Sequence, residues 1–201
     1  MVELVRKREV EQGWLVQHAG GLKTTFRVIF GIVWLVDGSL KFAPGLVAQF
    51  PSLVKTAGAG QPAWLHPWFS FWATQAAAQP AFWVYFTGTL EVALAFCLIF
   101  GFLRKIAYVG GALLSLLIWA VPEGFGGPYG PGSTDIGTGI VYAILFLALI
   151  TLNAAYGPSR WSLDYYLELR WPRWGAYAEF QKLVPSEDQE TLPVEEEPAT
   201  A

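Results

Sequence analysis

A chain of 201 residues, 54% of them hydrophobic and only 14% charged, is too apolar for an ordinary soluble domain, in which about a quarter of the residues are charged. Ten Trp, fourteen Phe and eight Tyr suit a protein that meets two membrane–water interfaces. The net charge of −3 sums over segregated charges: many acids follow Ser186, and the slightly basic remainder lacks the concentrated patch that nucleic-acid binding needs.

Residues 1–24 mix Arg6, Lys7, Arg8, Glu9 and Glu11 with Trp14 and Leu15, the composition of an amphipathic arm at a membrane surface. They contain no apolar core followed by a small-residue cleavage site, so no secretory signal is expected. A first span is predicted over about 25–42; its core, RVIFGIVWLVDGSLK, places Asp37 and Lys41 one turn apart, and Pro44-Gly45 ends it. Residues 45–79 are too polar and proline-broken to span. Leu46, Val47, Phe50, Leu53 and Val54 nonetheless share one helical face, and Trp64, His66, Trp68, Phe69, Phe71 and Trp72 form an aromatic cluster suited to the headgroup layer or to an element folded over the end of the bundle. A second span over about 80–102 stops at Arg104-Lys105, and a third over about 106–121 ends at Pro122-Glu123. The loop GFGGPYGPGST is turn-forming, Thr134-Asp135 is a natural helix cap, and a fourth span follows over about 136–155. Residues 157–184 interleave Trp and Tyr with Arg and read as an interfacial segment; 185–201 are acidic and are expected to be disordered.

The prediction is an all-α membrane protein of one domain, a four-helix transmembrane bundle with amphipathic and aromatic interfacial segments. Of thirteen Lys and Arg, only Lys41 and Lys55 fall on one side of this topology. The positive-inside bias puts both termini in the cytoplasm of a multi-pass inner-membrane protein. Asp37, Lys41, His66, Glu123 and Asp135 then gather at the outer end, with Glu91 deeper.

An unpaired charge at the depth of Glu91 costs at least about 2.5 kcal/mol, so it must face the bundle, be paired or be protonated. Thr87, Gly88 and Ala95 share its face and would let another helix approach. Proton-accepting or quinone-contacting chemistry and a bundle-locking contact both fit. Asp37 and Lys41 can pair with each other at i, i+4; if Asp37 pairs across the bundle instead, Lys41 is free for an anion. Asp135 reads as a helix cap beside the glycine loop. His18 lies inside and His66 outside, so they cannot share one haem. The lone Cys97 allows neither an intrachain disulfide nor a CxxC site, and no flavin-type dinucleotide fingerprint or metal-ligand spacing occurs. The glycine pairs in spans three and four suit close helix packing.

The motifs RVIFGIVWLVDGSLKF, LHPWFSFW and TDIGTGIVYAILFLALI resemble the DoxX/DoxD family over roughly residues 24–175. DoxD is the small membrane subunit of thiosulfate:quinone oxidoreductase. The resemblance implies a four-helix membrane protein tied to quinone or sulfur redox chemistry, working with partner subunits of a redox complex. Glu91 and Asp37 would handle protons. Lys41, Trp34, Trp119, Asp135 and His66 would contact quinone or substrate. The alternative is a non-catalytic accessory subunit that anchors a larger respiratory or photosynthetic complex through its aromatic surface segments.

Overall fold

The computed structural model describes residues 2–129, 135–157 and 159–180, with side chains from residue 18 onward. The acidic tail, the side chains of residues 1–17 in the N-terminal arm and the part of the glycine loop holding Thr134 lie outside the described residues. The described chain is helical, without strands: α1 (Val2–Leu40), α2 (Leu46–Ala57), α3 (His66–Ala78), α4 (Pro80–Phe100), α5 (Arg104–Ala120), α6 (Thr138–Tyr156), α7 (Leu163–Arg170) and α8 (Gly175–Ala178).

Three helical stretches are long and apolar enough to cross a membrane: His18–Leu40 of α1, then α4 and α6. About 20 apolar residues span the hydrocarbon core. Helices α2 and α3, of 12 and 13 residues, are too short, in line with the sequence. Helix α5 has 17 residues. The arm is not a separate element: its backbone continues into the first span as one 39-residue helix.

Two helix pairs pack most extensively, α1 with α4 and α5 with α6, and a looser seam separates the pairs. Glycines account for this. A Cβ on Gly38 would lie 2.9 Å from the Cβ of Glu91, and one on Gly88 would lie 2.7 Å from the Cβ of Lys41. In the second pair, the Phe146 ring occupies the place where Gly111 has no side chain. Small residues of this kind let transmembrane backbones approach closely. Between the pairs, Phe30, Trp34, Leu94, Leu98, Tyr108, Phe146 and Leu149 form the buried core. Trp34 is wholly buried, with its ring against Phe30, Tyr142 and Phe146.

Each end of the bundle has a cap. At one end α2 and α3 fold over α4 and α5, burying Val54, Ala76 and Val121. At the other end residues 159–180 form a collar fastened by a polar network. Helix α4 stops at Gly101, whose φ of 66° a side chain would strain, and the Arg27 guanidinium fills the space where its Cβ would stand. The chain re-enters a helix at Leu103 and Arg104.

The collar is built on Asp164. Its carboxylate accepts from the backbone N–H of Leu103 (2.8 Å) and Arg104 (2.9 Å), from Arg104 Nε (3.0 Å) and from Trp174 Nε1 (2.8 Å). It is therefore the N-terminal cap of α5, supplied from 60 residues downstream. The Arg104 guanidinium also pairs with Glu179 and, at 3.4 Å, with Glu168. Asn153 Nδ2 donates to Glu179 at 3.1 Å. Lys23 and Arg27 donate to the carbonyls of Gly157 and Trp161, so two buried cations meet the C-terminal end of α6 and the chain just beyond it.

The collar carries a pH dependence. Burial first, and the neighbouring Glu179 second, push the Glu168 carboxyl up to about 7, while Arg104 opposes them. Burial likewise raises Glu179, against the pull of Arg104. A carboxyl whose folded pKa is raised contributes stability that is complete below its unfolded value of 4.5 and is lost as pH climbs through about 7. Hydrogen exchange of residues 163–180, corrected for intrinsic rates, is expected to be several-fold faster near pH 8 than near pH 5. Glu168→Gln should flatten that dependence. An unchanged profile in the variant would assign the titration to another group.

Candidate functional site

The helix pairs leave a cavity of about 420 Å³ at the α2/α3 end of their seam. Its wall is mainly apolar: Phe50, Trp72, Trp83, Leu114 and Ile118 are among its lining, with Thr87, Lys41 and Glu123 as the polar members. Leu40, Leu53, Phe86, Leu90 and Leu117 line it and are also 40–59% exposed on the outer surface of the helices. The cavity thus opens sideways, onto the apolar flank of the bundle. Its size falls within the 300–1,000 Å³ of small-molecule sites.

Lys41, the residue after α1, enters this wall with its side chain 31% exposed. Its Nζ lies 3.2 Å from Glu91 Oε2 on α4, and Glu91 is only 1% exposed. The Gly38 and Gly88 contacts bring α1 and α4 close enough for that pairing. Asp37 pairs elsewhere: Tyr142 of α6 donates to its Oδ2 at 3.1 Å. The i, i+4 carboxylate–ammonium pair expected from sequence is therefore not formed, and Lys41 reaches only the Asp37 carbonyl, at 3.5 Å. Nor is Lys41 free, as the sequence allowed if Asp37 paired across the bundle. The two residues tie α1 to two different helices.

Lys41 and Glu123 are the charged members of the lining, and Lys41 is already held by Glu91. An anionic ligand gains little in such surroundings; a neutral ligand with a hydrogen-bond acceptor suits them better. Trp72 also lines the wall, and its indole Nε1, itself buried, has no hydrogen-bond partner among the described residues. The Trp34 indole in the core is unpartnered in the same way, so the Trp72 N–H by itself marks no ligand.

The remaining sequence candidates lie outside this wall. Trp34 is in the core rather than at the cavity, because Phe30, Tyr142 and Phe146 surround it. Trp119 donates through Nε1 to the Ile136 carbonyl at 2.8 Å. His66 Nε2 sits 3.0 Å from the Gln61 carbonyl, within the α2–α3 cap. Asp135 is not the cap of α6; it accepts from the Gly137 N–H at 2.7 Å and closes a local turn. The carboxylate on α6 is that of Glu123, which takes the Gly139 N–H at 2.8 Å. Sequence reasoning placed Glu123 at the outer end without a role and missed Tyr142 as the partner of Asp37. Trp72 lies in the cluster WFSFW, expected in the headgroup layer or folded over the end of the bundle, and the structure places it in the α2–α3 cap at the cavity wall.

Among the described residues, no three His, Cys, Asp or Glu side chains are placed to hold a metal. Comparison with family models found no match, and the same is true of comparisons with curated proteins and with solved structures.

Proposed function

We propose that the protein is a DoxX-like membrane subunit that binds a quinone in the lateral cavity and works within a redox complex. Helix α5 is the fourth span of this reading. Its 17 residues are at the lower limit for crossing, and its one buried cation, Arg104, is balanced by acids of the collar. Four spans put both termini on one side, and the positive-inside bias makes that side the cytoplasm of a bacterial or archaeal inner membrane.

The observation that carries the reading is a largely apolar cavity on the flank of the bundle with one cationic donor, Lys41 Nζ, in its wall. A quinone is neutral, apolar and bears two carbonyl acceptors. Lys41 would hold it by one of those carbonyls, and Trp72, Trp83, Leu114 and Ile118 would enclose its ring or tail. When bound, it supplies a two-electron acceptor whose reduction takes up two protons. Glu91 Oε2 beside Lys41 and Asp37 Oδ2 beside Tyr142 are the nearby atoms that can hold those protons. Electrons would come from a partner subunit, with thiosulfate as the donor that the resemblance implies.

Quinone content of the protein purified in mild detergent tests this. Wild type is expected to retain quinone, Leu114→Trp to retain about tenfold less, a loss of about 1.4 kcal/mol, and Lys41→Met several-fold less. Wild type that carries none even after reconstitution with excess quinone, or a cavity-filled variant that retains it fully, would overturn the reading.

One observation favours a second reading, the accessory subunit. Asp37, Glu123 and Asp135 are all engaged in internal contacts that fix helices or a turn. Stoichiometric recovery of a large membrane complex whose quinone turnover is unaffected by Glu91→Gln and Lys41→Met would support that role.

A further inference from the structure

The collar sorts its charges. Residues 159–180 contain three acids, Asp164, Glu168 and Glu179, and three cations, Arg160, Arg170 and Arg173, so the segment is neutral in sequence. The fold turns all three acids inward onto Arg104, with side chains no more than 8% exposed. All three arginines are exposed. A neutral sequence thus presents a wholly cationic outer surface.

That surface is also aromatic. Trp161 is 74% exposed, Tyr166 61%, Trp171 57% and Tyr177 52%, interleaved with the arginines. Tryptophan and tyrosine in this setting belong at headgroup depth, with the ring in the apolar region and the polar edge towards water. The surface continues the flank of the spans, where Phe100 at the end of α4 and Ile106 at the start of α5 are 56% and 51% exposed. A folded partner would have to cover isolated aromatics distributed along this segment. A leaflet meets them where they stand, and phosphate groups meet the arginines.

We propose that the collar is a binding surface for anionic phospholipid headgroups, with Arg160, Arg170 and Arg173 as the phosphate contacts and Asp164, Glu168, Glu179 and Arg104 as the device that exposes them. Phosphate suits arginine because the planar guanidinium donates to two oxygens at once. The inward acids matter as much as the outward arginines: an acid left among them would cancel the field at the surface.

The test uses the full chain in nanodiscs of phosphatidylcholine with and without phosphatidylglycerol. The melting temperature is expected to be at least about 5 °C higher with phosphatidylglycerol, and native mass spectrometry should show phosphatidylglycerol retained on the protein. Arg160→Gln/Arg170→Gln/Arg173→Gln should melt as wild type does in phosphatidylcholine alone, lose the phosphatidylglycerol increment and retain several-fold less of that lipid. Lys55→Gln, at the opposite end of the bundle, should leave the increment intact. Absence of an increment in wild type, or its survival in the triple variant, would overturn the proposal. So would an increment that appears only after removal of residues 186–201, since the acidic tail would then be the occupant in the intact chain.

Discussion

Arg104→Met is expected to cost about 3–5 kcal/mol and to lower the melting temperature in detergent by about 10 °C or more. The side chain is 1% exposed and is the cation that Asp164, Glu168 and Glu179 share. Methionine has a similar reach but leaves Asp164 and Glu179, both buried, without that cation. The loss of an isolated contact would be far smaller; the cost comes from uncompensated buried charge. Asp164 keeps its two backbone donors and Trp174, so the bundle survives while residues 175–180 come away from α5. Hydrogen exchange of residues 175–180 should report that detachment before global unfolding. Adding Glu179→Gln to Arg104→Met should restore part of the loss. If the double variant is no more stable than the single one, the network acts through packing rather than charge.

Lys41→Met is expected to destabilise the protein by about 2–3 kcal/mol, and Lys41→Met/Glu91→Leu by much less. The cation is 31% exposed whereas its partner is 1% exposed, so removing Lys41 strands the more deeply buried charge. The double variant removes both charges and leaves an apolar α1–α4 contact in a mainly apolar neighbourhood. A double-mutant cycle on unfolding free energy isolates the pair, and the coupling should exceed about 1 kcal/mol. Equal stability of Lys41→Met and the double variant would mean that Glu91 left without Lys41 costs the bundle nothing.

The parts of the fold that were legible in the sequence are those set by local composition. Apolar run length identified α1, α4 and α6, and the proline breaks marked α2 and α3 as too short to span. Gly88 on the face of Glu91 announced a close helix, and that helix is α1. The polar contacts were not legible, because they join residues far apart in the chain. Asp164 caps α5 from 60 residues away, and Tyr142 meets Asp37 across 105. The local cap at Asp135 and the local pair at Asp37 and Lys41 were sound expectations for an isolated helix. In the folded bundle, a second helix offered Asp37 and Lys41 each a better partner, while Glu123 took the α6 backbone donor and left Asp135 to a local turn. Arg104 illustrates the same limit: beside Lys105 it resembles a stop signal, and only the returning collar turns it into the centre of a network.

The sideways opening of the cavity changes which concentration governs its occupancy. A ligand that arrives along the bilayer is counted per lipid molecule, not per litre of water. A hydrophobic ligand making up a small fraction of the membrane is already crowded at the mouth formed by Leu40, Phe86, Leu90 and Leu117. Modest intrinsic affinity is then enough to keep the site filled, and dissociation can stay fast. Competitors should rank first by how strongly they partition into lipid and only second by how well their head groups fit, so a tail-less analogue added from water should be a poor probe of the site even when its ring is right.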